Sequence, residues 1–196
     1  MDTAVDRLRI GIVTGSTRPG RNNLSVARWV HELAAQRADA SYELVDIADY
    51  NLPLLDEQLP PSLGHYDHEH TKRWARKVAS FDGYVFVTPE YNHGVSGALK
   101  NAIDFVYAEW NQKSAGFVSY GSSGGVRAVE QLRLVMAELM IADVRGHVSL
   151  SMSTDFENFS VFRPDPRHEA ELDTMLNQVL AWGCALKALR SSAEGA

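Results

Sequence analysis

Five short segments rich in β-branched and aromatic residues alternate with segments of helical periodicity, and this alternation constrains the fold most. The strand-like segments are 8–14 (LRIGIVT), 41–47 (SYELVDI), 83–88 (GYVFVT), 114–120 (SAGFVSY) and 144–150 (VRGHVSL). The first and third are apolar almost throughout, which is typical of strands covered on both faces. Strands that alternate with helices predict a parallel sheet with right-handed crossovers and helices on both faces.

Apolar residues recur at helical spacing between these strands. The predicted helices cover residues 23–37, 68–80, 96–109, 124–142 and about 167–190. The fourth helix is expected to carry Leu139 and Met140 on its apolar stripe, and the last to carry Cys184 on its interior side. The sequence shows no internal repeat or linker, so residues 1–196 are predicted to form one domain.

Composition and charge exclude several classes of partner. A chain of 196 residues with 45% hydrophobic residues can bury a substantial core. Its formal net charge is −6 and no basic block stands out, so we expect no binding to nucleic acid or to an anionic membrane surface. No apolar run approaches the length of a membrane span, and the first ten residues do not resemble a signal peptide. With a single cysteine, Cys184, a cytoplasmic protein is predicted.

Three loops of unusual composition follow strand ends, and each leads into a helix. They are GSTRPGRNN (15–23), PEYNHGVSG (89–97) and GSSGG (121–125). In open parallel sheets, ligands bind beyond the carboxyl ends of the strands, where the strand order reverses. The three loops are neighbours only if the order is 2-1-3-4-5. The sequence therefore predicts a flavodoxin-like, doubly wound, five-stranded parallel sheet.

The first loop carries groups that suit an anion, although it matches neither G-x-G-x-x-G nor G-x-x-x-x-G-K-[ST]. These groups are a glycine, two hydroxyls and two guanidinium groups: Gly15, Ser16, Thr17, Arg18 and Arg21. As an alternative, the hydroxyls or one of the two following asparagines cap the first helix.

In the second loop, the side chains of Tyr91 and Asn92, beside Gly94, suit a planar heterocycle. The small third loop approaches the same ring from another side.

GSTRPGRNN followed by PEYNHGVSGALKNAIDF resembles the NADPH-dependent FMN reductase family, which includes chromate, quinone and azo-dye reductases of flavodoxin-like fold. The resemblance covers most of the chain, including LPLLDE at 52–57. It implies FMN as cofactor and NADPH or NADH as hydride donor. The implied reaction is the reduction of quinones, azo compounds, metal oxyanions or free flavin. In this reaction the nicotinamide and the acceptor bind to one site in turn, by a ping-pong mechanism.

The same resemblance assigns site residues position by position. It places the phosphate loop on Ser16, Arg18 and the segment 20–23, the ring loop on 89–92 and the third flavin loop on 120–125. Many family members have serine where Arg21 stands, so Arg21 or a backbone amide is expected to contact the phosphate. The predicted FMN-binding residues are Ser16, Thr17, Arg18, Arg21, Asn22, Asn23, Pro89, Glu90, Tyr91, Asn92, Gly94, Tyr120, Gly121, Ser122, Gly124 and Gly125.

Redox chemistry on the flavin needs no catalytic side chain, and the sequence offers no nucleophile or acid–base pair for one. His93 is predicted to face solvent, and Glu90 to shape its loop. No metal site is predicted, because the spacing of His65, His68 and His70 fits no zinc signature. Two alternatives stay open: a flavodoxin-type electron carrier without turnover of its own, and a sensor or scaffold that binds no flavin.

Family members are commonly dimers or paired dimers, so the resemblance implies a homo-oligomer. Two segments are predicted to form its contacts. One is 96–110, with Tyr107 and Trp110 at its end. The other is the loop that carries Phe156, Phe159 and Phe162, since three phenylalanines in one loop create an apolar patch unless they are covered.

Overall fold

A five-stranded parallel sheet lies at the centre of the computed structural model, which describes residues 7–194. Its strands are β1 (Leu8–Thr14), β2 (Ala40–Val45), β3 (Gly83–Pro89), β4 (Ser114–Gly121) and β5 (Ala142–Ser151). A short antiparallel hairpin follows, formed by β6 (Phe156–Glu157) and β7 (Val161–Phe162). The helices are α1 (Asn23–Ala35), α2 (Glu69–Ala79), α3 (Gly97–Asp104), α4 (Val126–Glu138) and α5 (Arg167–Glu194). The order β2-β1-β3-β4-β5 confirms the predicted flavodoxin-like sheet.

Each face of the sheet has its own apolar core. On one face, Ile12 of β1 belongs to a cluster with Val26 of α1 and Met175 of α5. On the other, Phe86 of β3 belongs to a cluster with Leu132 of α4, together with side chains of α2 and α3. β1 and β3 are thus covered on both sides, as their apolar sequences predict.

Helix α3 is shorter than the helix predicted over 96–109, because two tryptophan side chains occupy its last carbonyl groups. Trp74 Nε1 donates to Ala102 O at 2.7 Å. Trp110 Nε1 donates to Ile103 O at 3.1 Å. These indoles satisfy acceptors that a longer helix would use for its own N–H groups. Trp110 is fully buried, so its predicted place in an oligomer contact is wrong.

Two predicted core positions, Met140 and Cys184, are wrong. Met140 lies beyond α4 in the left-handed region, with φ 54°, and its side chain is exposed. Cys184 of α5 is exposed as well. The buried stripe of α5 passes through Val179 and Gly183, and each further residue is rotated by about 100° around the helix. That rotation carries Cys184 away from the sheet.

Aromatic side chains fold the loop after β5 back onto the protein. Phe156 is buried, with its ring centroid 5.7 Å from that of Tyr120 and 5.1 Å from that of Phe162. Phe162 also contacts Trp29 of α1 at 5.7 Å. The predicted oligomer role is wrong for Phe156, which is buried within the chain, whereas Phe162 is half-buried and its oligomer role stays a prediction. Phe159 is 69% exposed.

A buried carboxylate, Asp155, closes the same loop. It accepts hydrogen bonds from the N–H groups of Ser151 (2.8 Å) and Asp165 (3.1 Å), and it lies 3.1 Å from Nε2 of His168. Burial acts to raise the pKa of Asp155, but the hydrogen bonds from Asp165 and Ser151 outweigh it and lower that pKa below its ordinary value. The closed loop therefore depends on an ionised carboxylate.

Replacing Asp155 with asparagine is expected to lower the free energy of unfolding by about 1–3 kcal/mol, since an amide cannot accept at both of its terminal atoms. The folded pKa of Asp155 lies below the unfolded value of about 3.9. Its contribution is therefore complete above that value and is lost as pH falls through the folded pKa. Chemical unfolding of both proteins from neutral pH into acid measures the difference, which should shrink at the acid end.

Asp49→Asn is the matched control, because Asp49 is an exposed aspartate in the segment after β2. It should change the free energy of unfolding by less than about 0.5 kcal/mol. Equal losses in the two variants, or a loss in the Asp155 variant that persists in acid, would contradict the prediction.

Candidate functional site

The three predicted loops lie side by side at the carboxyl edge of the sheet. β1, β3 and β4 are consecutive neighbours and all run parallel. Helix α1 packs on one face of the sheet and α3 on the other. The winding direction therefore reverses between β1 and β3, which is where open α/β sheets bind their ligands.

The buried side chain of Asn23 fixes the first loop against β3. Its Oδ1 accepts from the N–H of Gly15 at 2.9 Å, and its Nδ2 donates to Val87 O at 2.8 Å. From the opposite side, Ser96 Oγ donates to Gly15 O. A Cβ at Gly15 would lie 2.6 Å from Val87 O, so only glycine fits there. Asn23 supports the loop and does not project into the open site.

The phenol of Tyr91 joins the second loop to the first. Its hydroxyl lies 2.9 Å from Ser16 Oγ and accepts from Arg18 Nε at 3.4 Å. The hydrogen bond and the nearby phenol raise the pKa of Arg18 above its ordinary value. Ser16 is buried, whereas Arg18 is exposed. A hydroxyl and a cation thus meet where the two loops converge.

The N-terminal end of α1 is open to an anion. Asn22 stands at the N-cap position, but no side chain caps the helix, so the alternative in which the loop hydroxyls or asparagines serve as caps is wrong. Within residues 7–194, no acceptor is found for the backbone N–H groups of Ser16, Thr17 and Gly20. Free N–H groups in the loop that leads into α1, beside a hydroxyl and an arginine, fit a phosphate.

Two other predicted phosphate residues are engaged inside the protein. Arg21 forms an ion pair of 2.5 Å with Asp46 at the end of β2, and both side chains are mostly buried. Its Nε has no partner in the described part of the chain. Asn22 Nδ2 donates at 2.9 Å to the carbonyl of Phe159 in the hairpin loop. A direct role of Arg21 or Asn22 at the phosphate stays a prediction.

The carboxylate of Glu90 anchors the second loop. It accepts from the backbone N–H of Arg127 at 3.1 Å and from Arg127 Nε at 2.6 Å. The side chain of Glu90 is almost fully buried, and the guanidinium neutralises its charge. Beyond it, Asn92 and His93 adopt left-handed conformations, with φ 48° and 71°, and both are exposed. The contacts agree with a loop-shaping role for Glu90.

The third loop is a tight glycine turn at the start of α4. Gly124 and Gly125 have φ 71° and 76°, and Gly124 N donates to Gly121 O at 3.0 Å. Before the turn, Tyr120 is buried, and its hydroxyl has no hydrogen-bond partner among the described residues. Burial raises the pKa of Tyr120, which keeps the hydroxyl protonated as a donor. A buried donor without a partner fits a site that a ligand completes.

A cleft of about 410 Å³ lies beside the first loop, lined by Thr17, by the segment after β2 and by α3.

Among the residues that the structure describes, no group of His, Cys, Asp and Glu side chains could hold a metal ion. His68 and His70 approach Asp56, and His65 approaches Asp67. No helix within 7–194 is long and apolar enough to cross a membrane.

Several supporting residues were missed from the sequence. Asp46, Arg127 and Ser149 contact the loops from positions 25 or more residues away in the chain. Ser119, five residues before Gly124, contacts the third loop from strand β4. Ser96 could have been found, because a serine directly before an apolar helical pattern is a typical N-cap, and its Oγ accepts from Leu99 N at 3.1 Å. The others give no local signal.

Residues 8–155 match the family model described as NADPH-dependent FMN reductase. An NAD(P)H-dependent FMN reductase of Schizosaccharomyces pombe is 43% identical over 149 residues, which cover 75% of this chain and 74% of that protein. One from Nectria sp is 39% identical over 157 residues, covering 75% and 78%. A quinone reductase of Escherichia coli is 34% identical over 140 residues, covering 68% and 72%.

The fold is similar to that of a flavoenzyme NAD(P)H:(acceptor) oxidoreductase from Paracoccus denitrificans. The TM-score is 0.70 at 19% identity, and the match covers 90% of this chain and 97% of the other. This likeness agrees with the sheet order and the helical layers described above. The chain therefore belongs to the NADPH-dependent FMN reductase family, as an oxidoreductase whose cofactors are FMN and a reduced nicotinamide nucleotide.

Proposed function

We propose that the three loops form one FMN site, with the phosphate at the first loop and the ring against the second and third. The observation that carries this proposal is the hydroxyl of Tyr91, which contacts both Ser16 and Arg18. It brings the predicted phosphate loop and the predicted ring loop to one point. The uncapped end of α1 and the unpartnered hydroxyl of Tyr120 fit a ligand with a phosphate and a polar ring edge.

Within this site the residues divide into contacts and supports. Ser16, Thr17, Arg18 and the backbone around Gly20 would hold the phosphate. Pro89, Tyr91, Asn92, Gly94, Tyr120, Gly121, Ser122, Gly124 and Gly125 would hold the ring. Asn23 and Glu90 would support these loops from behind, because their polar atoms already bond within the protein.

Bound FMN supplies the redox chemistry, namely hydride acceptance from the reduced nicotinamide and electron delivery to an acceptor. The protein contributes position and electrostatics. Arg127 neutralises the carboxylate of Glu90, which would otherwise oppose negative charge near the ring. The exposed backbone at Asn92 and Gly97 leaves room for a flat substrate. We propose a quinone or another small planar acceptor, the class named for the bacterial relatives.

Further proposals concern the cellular location, the oligomeric state and the macromolecular partners. The single cysteine, Cys184, is exposed as a free thiol, which supports a reducing, cytoplasmic location. A homodimer or homotetramer is proposed to form through an apolar groove of about 450 Å³ between α3 and α4. Tyr107 and Leu134 line it, and Leu134 is 76% exposed. We propose no nucleic-acid or membrane partner, in keeping with the negative net charge.

Arg18→Ala is expected to weaken FMN binding roughly 10- to 100-fold, the range for one lost hydrogen bond to a charged group. Riboflavin lacks the phosphate, so its affinity should change little. Fluorescence titration of both ligands measures the two dissociation constants, and thermal unfolding checks that the fold is retained.

Arg28→Ala is the matched control, since Arg28 is also an exposed arginine but lies in the middle of α1, outside the loop. It should leave both affinities unchanged. Equal losses for FMN and riboflavin in the Arg18 variant would show that Arg18 does not contact the phosphate.

One open face used in turn by nicotinamide and acceptor predicts ping-pong kinetics. Initial rates with NADPH and a benzoquinone, each varied at several concentrations of the other, should give parallel double-reciprocal lines. Intersecting lines would mean that both substrates bind together, and the shared-face proposal would then be abandoned.

Leu134→Glu is expected to lower the mass measured by light scattering, because a charge in the groove between α3 and α4 must be desolvated when two copies meet. Trp182→Glu is the control, since Trp182 is an exposed apolar residue (54%) on α5, outside that groove. A mass unchanged by Leu134→Glu would assign the contact to another surface.

A further inference from the structure

Two serine hydroxyls converge on a single carbonyl oxygen in the third loop. Ser119 Oγ of β4 donates to Gly124 O at 2.6 Å, and Ser149 Oγ of β5 donates to the same oxygen at 3.1 Å. Ser119 and Ser149 are register partners in the sheet, so their side chains project from the same face. A carbonyl oxygen has two lone pairs, and these two donors occupy both.

The two glycines of the turn are what lets the serines reach this oxygen. A Cβ at Gly124 would lie 2.0 Å from Ser149 Oγ, and a Cβ at Gly125 would lie 2.8 Å from Ser119 Cβ. Both glycines also have positive φ, where other residues are strained. The hydrogen bonds of Ser119 and Ser149 therefore require glycine at both positions 124 and 125.

A third group fixes the direction of the Ser119 hydroxyl. His147 Nε2 lies 3.2 Å from Ser119 Oγ. The Ser119 hydrogen is directed to a carbonyl, which can only accept, so the remaining contact requires His147 Nε2 to carry a proton and donate. Burial lowers the pKa of His147, and Arg133 lowers it further. A neutral imidazole at neutral pH is enough for this bond.

The orientation of this peptide group has a consequence on its other side. In a planar trans peptide the N–H points opposite to the C=O. Because the Gly124 carbonyl is directed at the sheet, the Gly125 N–H is directed away from it, at the start of α4. Within the described part of the chain, no acceptor is found for that N–H. It is a donor held in place with no partner of its own.

We propose that Ser119 and Ser149 are positioning residues of the FMN site, which hold the Gly124–Gly125 peptide so that the Gly125 N–H donates to the flavin ring. This inference rests on the proposed FMN site. The serines touch neither cofactor nor substrate and act only through the peptide group. They are fixed by the strands, so the donor needs no reorganisation when the ligand binds.

The experiment compares Ser119→Ala, Ser149→Ala and the double variant with Ser114→Ala. Ser114 is the matched control, because its buried hydroxyl donates to Val179 O at 2.8 Å in the same strand β4, but at the opposite end from the loops. Each protein is titrated with FMN and with riboflavin. The midpoint potential of bound FMN and the free energy of unfolding are measured in parallel.

Each single variant is expected to weaken FMN and riboflavin by the same factor, roughly 3- to 10-fold, and the double variant by more. The equal factor follows because the donor faces the ring and not the phosphate. The midpoint potential should become more negative, since an N–H donor favours the more electron-rich reduced ring. Ser114→Ala should lose stability but keep both affinities and the potential.

Two results would overturn the inference. One is a loss of stability in the Ser119 and Ser149 variants with unchanged affinities and potential, which would make their role purely structural. The other is a loss for FMN alone, which would place the effect at the phosphate. If wild-type protein binds neither FMN nor riboflavin, the proposed FMN site itself fails, and this outcome is distinct from both.

A measurement on the wild-type protein does not depend on whether any variant folds. Amide hydrogen exchange of the Gly125 N–H, followed by NMR, is expected to slow when FMN or riboflavin is added. An exchange rate that stays the same in the ligand-saturated protein would show that this N–H meets no acceptor on the flavin, and the inference would be withdrawn.

Discussion

The candidate site depends on the two hydrogen bonds that the buried carboxamide of Asn23 forms. Its two polar atoms tie Gly15 to Val87, and so hold the loop after β1 against the neighbouring strand β3. The N-terminal end of α1, which begins at Asn23 itself, carries no side-chain cap and stays open. A site built from backbone N–H groups requires such anchoring, because an unsupported glycine-rich loop would lose conformational entropy on binding.

The sequence predicted the sheet well, since β1 and β3 carry continuous apolar runs and the loop compositions require one strand order. Errors arose where distant side chains decide local structure. The early end of α3 depends on Trp74 and Trp110, which reach carbonyl groups that no helical periodicity reveals. The inward packing of Phe156 depends on Tyr120, 36 positions earlier in the chain. Composition alone suggested an exposed apolar loop there.

For the candidate site, the sequence predicted three loops that the structure places side by side, but it did not show which of their residues bond within the protein. Arginine, asparagine and glutamate residues suit a bound ligand and an internal bond equally well. Arg21 is paired with Asp46, and Glu90 with Arg127, and each partner lies on an element separated in sequence. In the sequence, Ser119 and Ser149 are not distinguishable from other polar strand residues. In the structure, both hydroxyls donate to Gly124 O in the third loop and orient its peptide group.

The exposed thiol of Cys184 has a practical consequence. Each chain carries one cysteine without an internal partner, so in an oxidising buffer two chains can become joined by an intermolecular disulfide. Such a cross-link would connect molecules through α5, on a surface separate from the groove between α3 and α4. A covalent dimer of this kind would run as one species on a non-reducing gel and as a single chain on a reducing gel. Purification under reductant therefore separates disulfide formation at this thiol from any non-covalent association of the chains.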